Sequence, residues 1–285
     1  MDFIQAAIER AREERRRHGE GAREAAPRQR QQPKAVPAPE PAAEPNADRA
    51  AIWAELPAFQ PSSKRLERHL IVSQRAGPQA AHFDMIRTRL LHQLRANGWR
   101  RVAITSPGSA CGKTTLAVNL AFSMARQPDI HTLLAEFDLR RPSMAHILGL
   151  SGPRQFARVL AGEAAPEDNL LRIGANLALA ANTAPAPNAA ELLQGVKAGL
   201  AMDAIESRFA PDVVICDMPP MLVTDDTLAF IDQIDCVLLV AAAEYTNMDE
   251  IERCSADLAA RCNFLGVILN KCRYLERSES YEYGY

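Results

Sequence analysis

Residues 106–115, SPGSACGKTT, combine the residue types that bind phosphate. The segment follows the apolar run VAIT and precedes LAVNLAFSMA, which has the composition of a helix. A glycine-rich turn between a strand and a helix directs several backbone N–H groups at one point, and the helix N-terminus adds partial positive charge there. Lys113 can then reach the outer phosphates of a nucleotide, and the Thr114 hydroxyl can ligate Mg²⁺. The loop therefore predicts nucleotide binding.

The predicted nucleotide site takes in the whole loop. Gly108 and Gly112 allow backbone conformations and a close approach that a side chain would prevent. Pro107 occupies the first glycine position of the pattern G-x-x-x-x-G-K-[ST], and it has no N–H to donate. The residues expected to contact the nucleotide in this loop are Gly108, Ser109, Ala110, Cys111, Gly112, Lys113, Thr114 and Thr115.

Two further segments supply carboxylates for a metal ion. In LLAEFDLRRP, Glu136 and Asp138 are two residues apart at the end of an apolar run, so in an extended chain both point to the same side. In VVICDMPP, Asp217 ends another apolar run, and two prolines stop the strand. Acids at strand ends also occur as loop caps, but their combination with a phosphate loop predicts a magnesium–nucleotide site.

Short apolar runs alternate with helical patterns from about residue 63 onwards. The runs occupy residues 101–105, 131–137, 176–181, 212–217, 235–243 and 264–270, and helical patterns include residues 113–126, 189–208 and 247–262. Apolar strands separated by helices predict an α/β fold with a mainly parallel sheet covered on both faces. Together with the phosphate-binding loop, this pattern predicts a fold of the P-loop NTPase type. Ligands of such sheets bind at the carboxyl ends of the strands, where the loop and the acids lie.

The sequence divides into three regions. Residues 1–62 are predicted to hold a short amphipathic helix near residues 3–11 and a disordered linker rich in proline and alanine. This region serves as a tether, or alternatively residues 3–11 dock on a partner. Residues 63–273 are predicted to form the P-loop domain, and residues 274–285 a tail.

The amino-acid composition bears on the partners and the cellular compartment of the protein. The net charge of −2 gives no sign of nucleic-acid binding. The six cysteines include no C-x-x-C pair, as expected for free thiols in a reducing compartment. Neither a signal peptide nor a run of about 20 apolar residues is present, which predicts a cytoplasmic protein.

The last twelve residues, YLERSESYEYGY, contain four of the five tyrosines. These are Tyr274, Tyr281, Tyr283 and Tyr285. A short tail poor in apolar residues is expected to be mobile, so its hydroxyls can visit an active site. Alternatively, these tyrosines have no function. Four phosphates would add roughly −6 to −8 charges, which predicts that phosphorylated tails drive subunits apart.

Five stretches together resemble one known family: TSPGSACGKTT, LLAEFDLRRP, VVICDMPP, PNAAELL and GVILNK. The resemblance is to the bacterial tyrosine kinases of capsule and exopolysaccharide synthesis (BY-kinases), in the cytoplasmic form without a membrane segment. These kinases descend from the partitioning and septum-site ATPases, and the resemblance covers roughly residues 65–285. The partitioning ATPases carry an additional lysine at the position of Gly108, and its absence here favours the kinase branch.

The resemblance implies ATP and Mg²⁺ as cofactors and a role for each matching residue. Lys113 would bind phosphates, and Thr114, Asp138 and Asp217 would hold the metal or its waters. Arg140 would neutralise phosphate charge, and Asn270 would contact adenine. Position 136 is a candidate base toward the tyrosine hydroxyl, with Asp138 as the alternative; this chain has Glu136 where the family has aspartate. A shift of about 1 Å in such a group costs on the order of 10²-fold in rate.

The resemblance also implies partners. A membrane-embedded polysaccharide co-polymerase would recruit the chain to the inner face of the membrane and activate it, and tails of neighbouring subunits in a homo-oligomer would accept phosphate. The family's ring-forming E-x-x-R-x-x-R pattern reads Ala81, Asp84 and Arg87 here, so only the last position is kept. Two alternatives to the kinase are an ATPase switch that positions a partner and a scaffold that binds nucleotide weakly.

Overall fold

The computed structural model describes residues 45–272 of the chain. The predicted helix near residues 3–11 and the tail tyrosines Tyr274, Tyr281, Tyr283 and Tyr285 lie outside the described residues. Among residues 45–272, no helix combines the length and the apolar character needed to cross a lipid bilayer.

Seven strands form the central sheet of the described part of the chain. They are β1 Arg101–Thr105, β2 Thr132–Glu136, β3 Leu170–Ile173, β4 Leu177–Ala180, β5 Val213–Asp217, β6 Cys236–Ala242 and β7 Asn263–Asn270. Their order is β3-β4-β2-β5-β1-β6-β7, and all neighbours are parallel except β3, which runs antiparallel to β4. The predicted P-loop fold with a mainly parallel sheet is confirmed.

Helices connect the strands and cover the sheet. They are α1 Pro45–Glu55, α2 Ser63–Arg68, α3 Ala81–Asn97, α4 Lys113–Ala125, α5 Met144–Leu148, α6 Phe156–Leu160, α7 Pro166–Asn169, α8 Ala189–Gln194, α9 Val196–Phe209, α10 Asp226–Phe230 and α11 Met248–Ala259. The helix expected over residues 189–208 is two helices, because Gly195 between them has an extended backbone.

The central strands are largely apolar on both faces because each face packs on helices. Successive strand residues alternate between two cores: Leu133 and Val214 belong to one, and Leu134 and Ile215 to the other. The first core also holds buried residues of α9 and α11, and the second those of α3 and α4. The largely apolar composition of these strands follows from this two-sided burial.

The packed domain includes residues of the predicted linker. Trp53 on α1 is 1% exposed, and its indole Nε1 donates a hydrogen bond to the Phe209 carbonyl. Leu56 is also buried in the same core. Residues 45–56 therefore pack on the domain that was expected to begin at residue 63.

The register of the central strands sets the positions of the predicted acids. Glu136 at the end of β2 pairs with Asp217 at the end of β5, and Asp217 also pairs with Ile104 of β1. The phosphate-binding loop predicted at residues 106–115 begins directly after β1. The carboxyl ends of three adjacent strands thus carry the loop and the acids together.

Candidate nucleotide-binding and active site

The loop between β1 and α4 has a backbone that only glycine fits at its last position. Gly112 has φ +90°, and a Cβ atom there would lie 2.2 Å from Asn270 Nδ2. That same Nδ2 atom donates a hydrogen bond of 2.9 Å to the Cys111 carbonyl. Asn270 at the end of β7 therefore holds the loop through the Cys111 carbonyl. Its predicted contact with adenine stays a prediction.

The opposite side of the loop is held by the segment that follows β5. The Met221 amide donates to the Ser106 carbonyl at 2.9 Å, and the Leu222 amide donates to the Pro107 carbonyl at 3.1 Å. Inside the loop, the Ser106 hydroxyl donates to the Gly108 carbonyl at 2.7 Å. These bonds fix the loop at its start, next to the strand end that carries Asp217.

Four of the predicted site residues meet at the start of α4. Lys113 Nζ donates to Asp138 Oδ2 at 2.9 Å and to Asp217 Oδ1 at 3.4 Å. The Thr114 hydroxyl donates to Asp217 Oδ2 at 2.7 Å. All four side chains are buried. The structure therefore brings Lys113, Thr114, Asp138 and Asp217 into direct contact.

Burial and charge act in opposite directions on these groups. Burial by itself would lower the pKa of Lys113, but the carboxylates of Asp217 and Asp138 outweigh it and raise that pKa. Burial raises the pKa of Asp217, although the Lys113 ammonium and the Thr114 hydroxyl oppose the rise. A buried carboxylate at this point is therefore stabilised by a cation close by.

The oxygen atoms of this cluster fit a magnesium ion. Thr114 offers a hydroxyl, Asp138 and Asp217 offer carboxylates, and the Ser143 hydroxyl lies 3.4 Å from Thr114 Oγ1. Residues 45–272 contain no cluster of three His, Cys, Asp or Glu side chains that could hold a metal ion by themselves. Magnesium in nucleotide sites commonly binds one or two protein oxygens together with substrate phosphates. The donors present suit that mode.

A pocket of about 300 Å³ lies in front of the loop. Its lining comprises Ser109, Ala110, Gly112, Lys113, Thr114, Thr115, Asp138, Arg141, Ser143, Ile147 and Pro220. Most of the predicted loop residues are in this set, whereas Gly108, Cys111 and Asn270 are not. Arg141 and Ser143 line the pocket although the sequence did not single them out as site residues.

Residues 102–283 match the family of CobQ/CobB/MinD/ParA nucleotide-binding domains. The chain belongs to this family. The cluster of Lys113, Thr114, Asp138 and Asp217 therefore lies within the part of the chain that matches a CobQ/CobB/MinD/ParA domain.

Several sequence relatives are named as tyrosine kinases. Tyrosine-protein kinase YwqD of Bacillus subtilis is 28% identical over 224 residues, which are 78% of this chain and 92% of that protein. Tyrosine-protein kinase CpsD of Streptococcus pneumoniae is 29% identical over 185 residues, 63% of this chain and 79% of that protein. The crystal structure of the VpsO kinase domain matches with 27% identity and a TM-score of 0.59, covering 68% of this chain and 96% of that one. The resemblance to bacterial tyrosine kinases is confirmed.

Glu136 does not face the pocket of this CobQ/CobB/MinD/ParA domain. Its side chain is fully buried, and Oε1 accepts hydrogen bonds from the amides of Ser143 (2.6 Å) and Met144 (2.8 Å). Oε2 accepts from the Asn182 amide at 2.8 Å. Glu136 thus braces the loop after β2 against the end of β4. Because β2 ends at Glu136, the strand alternation that placed Glu136 and Asp138 on one side does not extend to Asp138.

Arg140 and the residues of the ring-forming pattern are also engaged within their own chain. Arg140 pairs with Asp226 and does not line the pocket. On α3, Asp84 pairs with Arg87 and Arg126, and Arg87 Nη1 donates to the Ser123 carbonyl at 2.9 Å. The kept position of the ring-forming pattern therefore holds α3 against α4.

Glu136 gives the domain a dependence on pH that can be measured. Burial raises its pKa from 4.5 to about 7, although the amides of Met144, Asn182 and Ser143 oppose the rise. The folded chain therefore binds a proton between these pKa values that the unfolded chain does not, and this contribution to stability is lost as pH rises through 7.

We expect the free energy of unfolding in urea to increase by about 1 kcal/mol from this group between pH 8 and pH 6. Glu136→Gln removes the titrating group and should remove that increment, while Asp217 and the rest of the chain titrate as before. An equal increment in both proteins would show that Glu136 does not titrate in this range.

Proposed function

We propose that the chain is an ATP-dependent protein-tyrosine kinase that phosphorylates the tyrosines of its own C-terminal tail. The observation that carries the proposal is the meeting of Lys113, Thr114, Asp138 and Asp217 beside one pocket. The named tyrosine kinases among its relatives support the choice of acceptor. In this role, the chain regulates polymerisation or export of a polysaccharide.

The phosphate-binding loop and Lys113 hold the nucleotide. The loop backbone ends at the first turn of α4, where the helix N-terminus favours negative charge. Lys113 lies between two carboxylates, and a bound triphosphate offers its ammonium further anionic oxygens. Phosphoryl transfer depends mainly on such positioning and charge stabilisation.

Thr114, Asp138 and Asp217 are the residues that would hold Mg²⁺ with ATP. When bound, the ion neutralises charge on the phosphates. The protein contributes the fixed arrangement of the three oxygen donors, because the Thr114 hydroxyl and Asp217 are joined by a hydrogen bond of 2.7 Å. The buried surroundings of Asp217 strengthen its attraction for cations.

Asp138 is the carboxylate best placed to take the tyrosine proton. Both carboxylates accept hydrogen bonds within the protein, but Asp138 lines the pocket, whereas Glu136 is fully buried and does not. A tyrosine hydroxyl has a pKa near 10, so a base assists its attack. The phenolic oxygen forms a bond to the γ-phosphorus, the bond from that phosphorus to the β,γ-bridging oxygen breaks, and ADP leaves while Asp138 takes the proton.

The last strand before the tail ends next to the phosphate loop. β7 ends at Asn270, whose side chain contacts the phosphate loop at Cys111. The acceptors Tyr274, Tyr281, Tyr283 and Tyr285 follow within fifteen residues along the sequence. Transfer occurs between copies of the chain in a homo-oligomer, and the added phosphates then separate the copies by charge repulsion.

The chain acts in the cytoplasm at the inner face of the membrane. A membrane-embedded polysaccharide co-polymerase recruits it and supplies a cytosolic segment that activates it. The chain aligns with only 25% of its longer relative Wzc of Salmonella typhi. We infer that a separate partner supplies to this chain what the rest of that longer protein supplies to its own kinase region.

To test this proposal, the purified full-length chain is incubated with Mg-ATP, with and without the cytosolic segment of the membrane partner. Protein-bound phosphate and free phosphate are then measured. Phosphate on tail tyrosines supports the kinase. Release of inorganic phosphate without tail phosphotyrosine would overturn it in favour of an ATPase switch. Neither product with the segment present would favour a nucleotide-binding scaffold.

A further inference from the structure

Two consecutive arginines follow Asp138, and the structure gives them different surroundings. Arg140 Nε donates to Asp226 Oδ2 at 2.8 Å, and Arg140 Nη2 donates to Asp226 Oδ1 at 3.0 Å. The Asp226 side chain is 0% exposed. A two-pronged pair between a guanidinium and a carboxylate fixes the orientation of both groups. The side chain of Arg140 is therefore committed to Asp226.

The partner of Arg140 belongs to the segment that borders the phosphate loop. Asp226 begins α10, directly after the segment 218–225 that follows β5. The Thr227 hydroxyl and the Thr105 hydroxyl both donate to the Pro219 carbonyl at 2.7 Å. This segment also donates two amide bonds to Ser106 and Pro107, as described above. The Arg140–Asp226 pair thus ties the loop after β2 to the segment that holds the start of the phosphate loop.

The surroundings of Arg141 differ from those of Arg140. Its backbone amide donates to Asp138 Oδ1 at 3.2 Å, and its side chain lines the pocket together with Lys113 and Asp138. Within residues 45–272, the exposed Arg141 guanidinium makes no hydrogen bond or ion pair to another side chain. A guanidinium presents paired donors that match phosphate oxygens, which makes Arg141 suited to a phosphate at this pocket.

We infer that Arg141 contacts the terminal phosphate of the bound nucleotide, and that Arg140 is a positioning residue that joins the two loops flanking the site through Asp226. The inference rests on the proposed nucleotide site. The resemblance implies the phosphate contact for Arg140, and the geometry assigns it to the next residue. Arg141 lines the same pocket as Asp138 and the phosphate-loop residues Ser109, Ala110 and Gly112.

The first test compares ATP and ADP binding to the full-length protein in Mg²⁺ by isothermal titration. Arg141→Ala should weaken ATP binding by about tenfold or more while changing ADP binding little, because only ATP carries the terminal phosphate. Arg140→Ala should weaken both nucleotides to a similar degree, so the ratio of their affinities stays constant. Arg158→Ala, on the surface of α6 where Arg158 pairs with Glu163, is the matched control. A changed ATP-to-ADP ratio in Arg140→Ala and not in Arg141→Ala would overturn the assignment.

The second test is a double-mutant cycle on thermal unfolding. Arg140→Ala and Asp226→Asn should each lower Tm, and the double variant should fall little further because the same pair is removed. Arg141→Ala should be additive with Asp226→Asn. Additive losses for Arg140 and Asp226 would refute the joining role. Neither test requires phosphate transfer. If the chain binds ATP but leaves its tail unmodified, the proposed kinase is refuted, and the two tests still show which arginine contacts the terminal phosphate.

Discussion

Replacing Lys113 with methionine is expected to abolish tail phosphorylation and to weaken nucleotide binding by at least about 100-fold. Lys113 is the one residue of the cluster whose positive charge contacts both Asp138 and Asp217. Methionine has a similar length but removes the ammonium, so the phosphates lose a charged donor and the two acids lose their cation. Anti-phosphotyrosine signal and ATP titration measure the two losses.

The control for this prediction is the same substitution at Lys197, an exposed lysine of α9. Lys197→Met should retain both binding and transfer. Because Lys113→Met also leaves Asp138 and Asp217 without their cation, circular dichroism must show that the variant is folded. Tail phosphorylation by a folded Lys113→Met protein at the wild-type rate would contradict the proposed site.

Asp138→Asn is expected to slow phosphate transfer by about 10²–10⁴-fold. Asparagine keeps the shape of the side chain but does not accept the tyrosine proton. The phosphate loop, Lys113, Thr114 and Asp217 remain, and the asparagine carbonyl oxygen can still ligate Mg²⁺, so nucleotide binding should fall much less than the transfer rate. The measurement is the rate of tail phosphorylation at saturating Mg-ATP, beside the Kd for ATP.

Glu136→Gln is the matched comparison for Asp138→Asn, because it changes the neighbouring acid in the same way. Glu136 lies outside the pocket, where it accepts hydrogen bonds from the loop after β2 and from the end of β4. The glutamine side chain of Glu136→Gln should therefore displace the loop after β2 only slightly and reduce the transfer rate by no more than about tenfold. A larger loss of transfer in Glu136→Gln than in Asp138→Asn would make Glu136 the base and contradict the geometric assignment.

Much of the fold could be predicted because its strands are apolar on both faces. Six of the seven strands coincide with apolar runs in the sequence. Five of these are buried between the two cores, whereas β7 at the edge of the sheet is partly exposed. Strand β3 did not stand out, because its four residues follow directly on the short helix α7 without a turn signal between them. Trp53 gave no sign of its place in the core, because its hydrogen-bond partner Phe209 is 156 residues away.

The positions of site residues could be predicted where they depend on the ends of strands, but not where they depend on contacts between loops. Lys113, Thr114 and Asp217 lie at the ends of adjacent parallel strands or at the helix that follows, so topology alone brings them together. The direction of the chain after β2 is not encoded in strand alternation, which is why Asp138 lines the pocket and Glu136 does not. The Arg140–Asp226 pair joins residues 86 positions apart and leaves no local pattern in the sequence.

The most direct test of the account is site-resolved mass spectrometry of the full-length chain after incubation with Mg-ATP and the activating segment. We expect phosphate on Tyr274, Tyr281, Tyr283 or Tyr285 in the wild type and its disappearance in Lys113→Met. An unmodified wild-type tail beside a measured turnover of ATP would show that the nucleotide site serves another purpose.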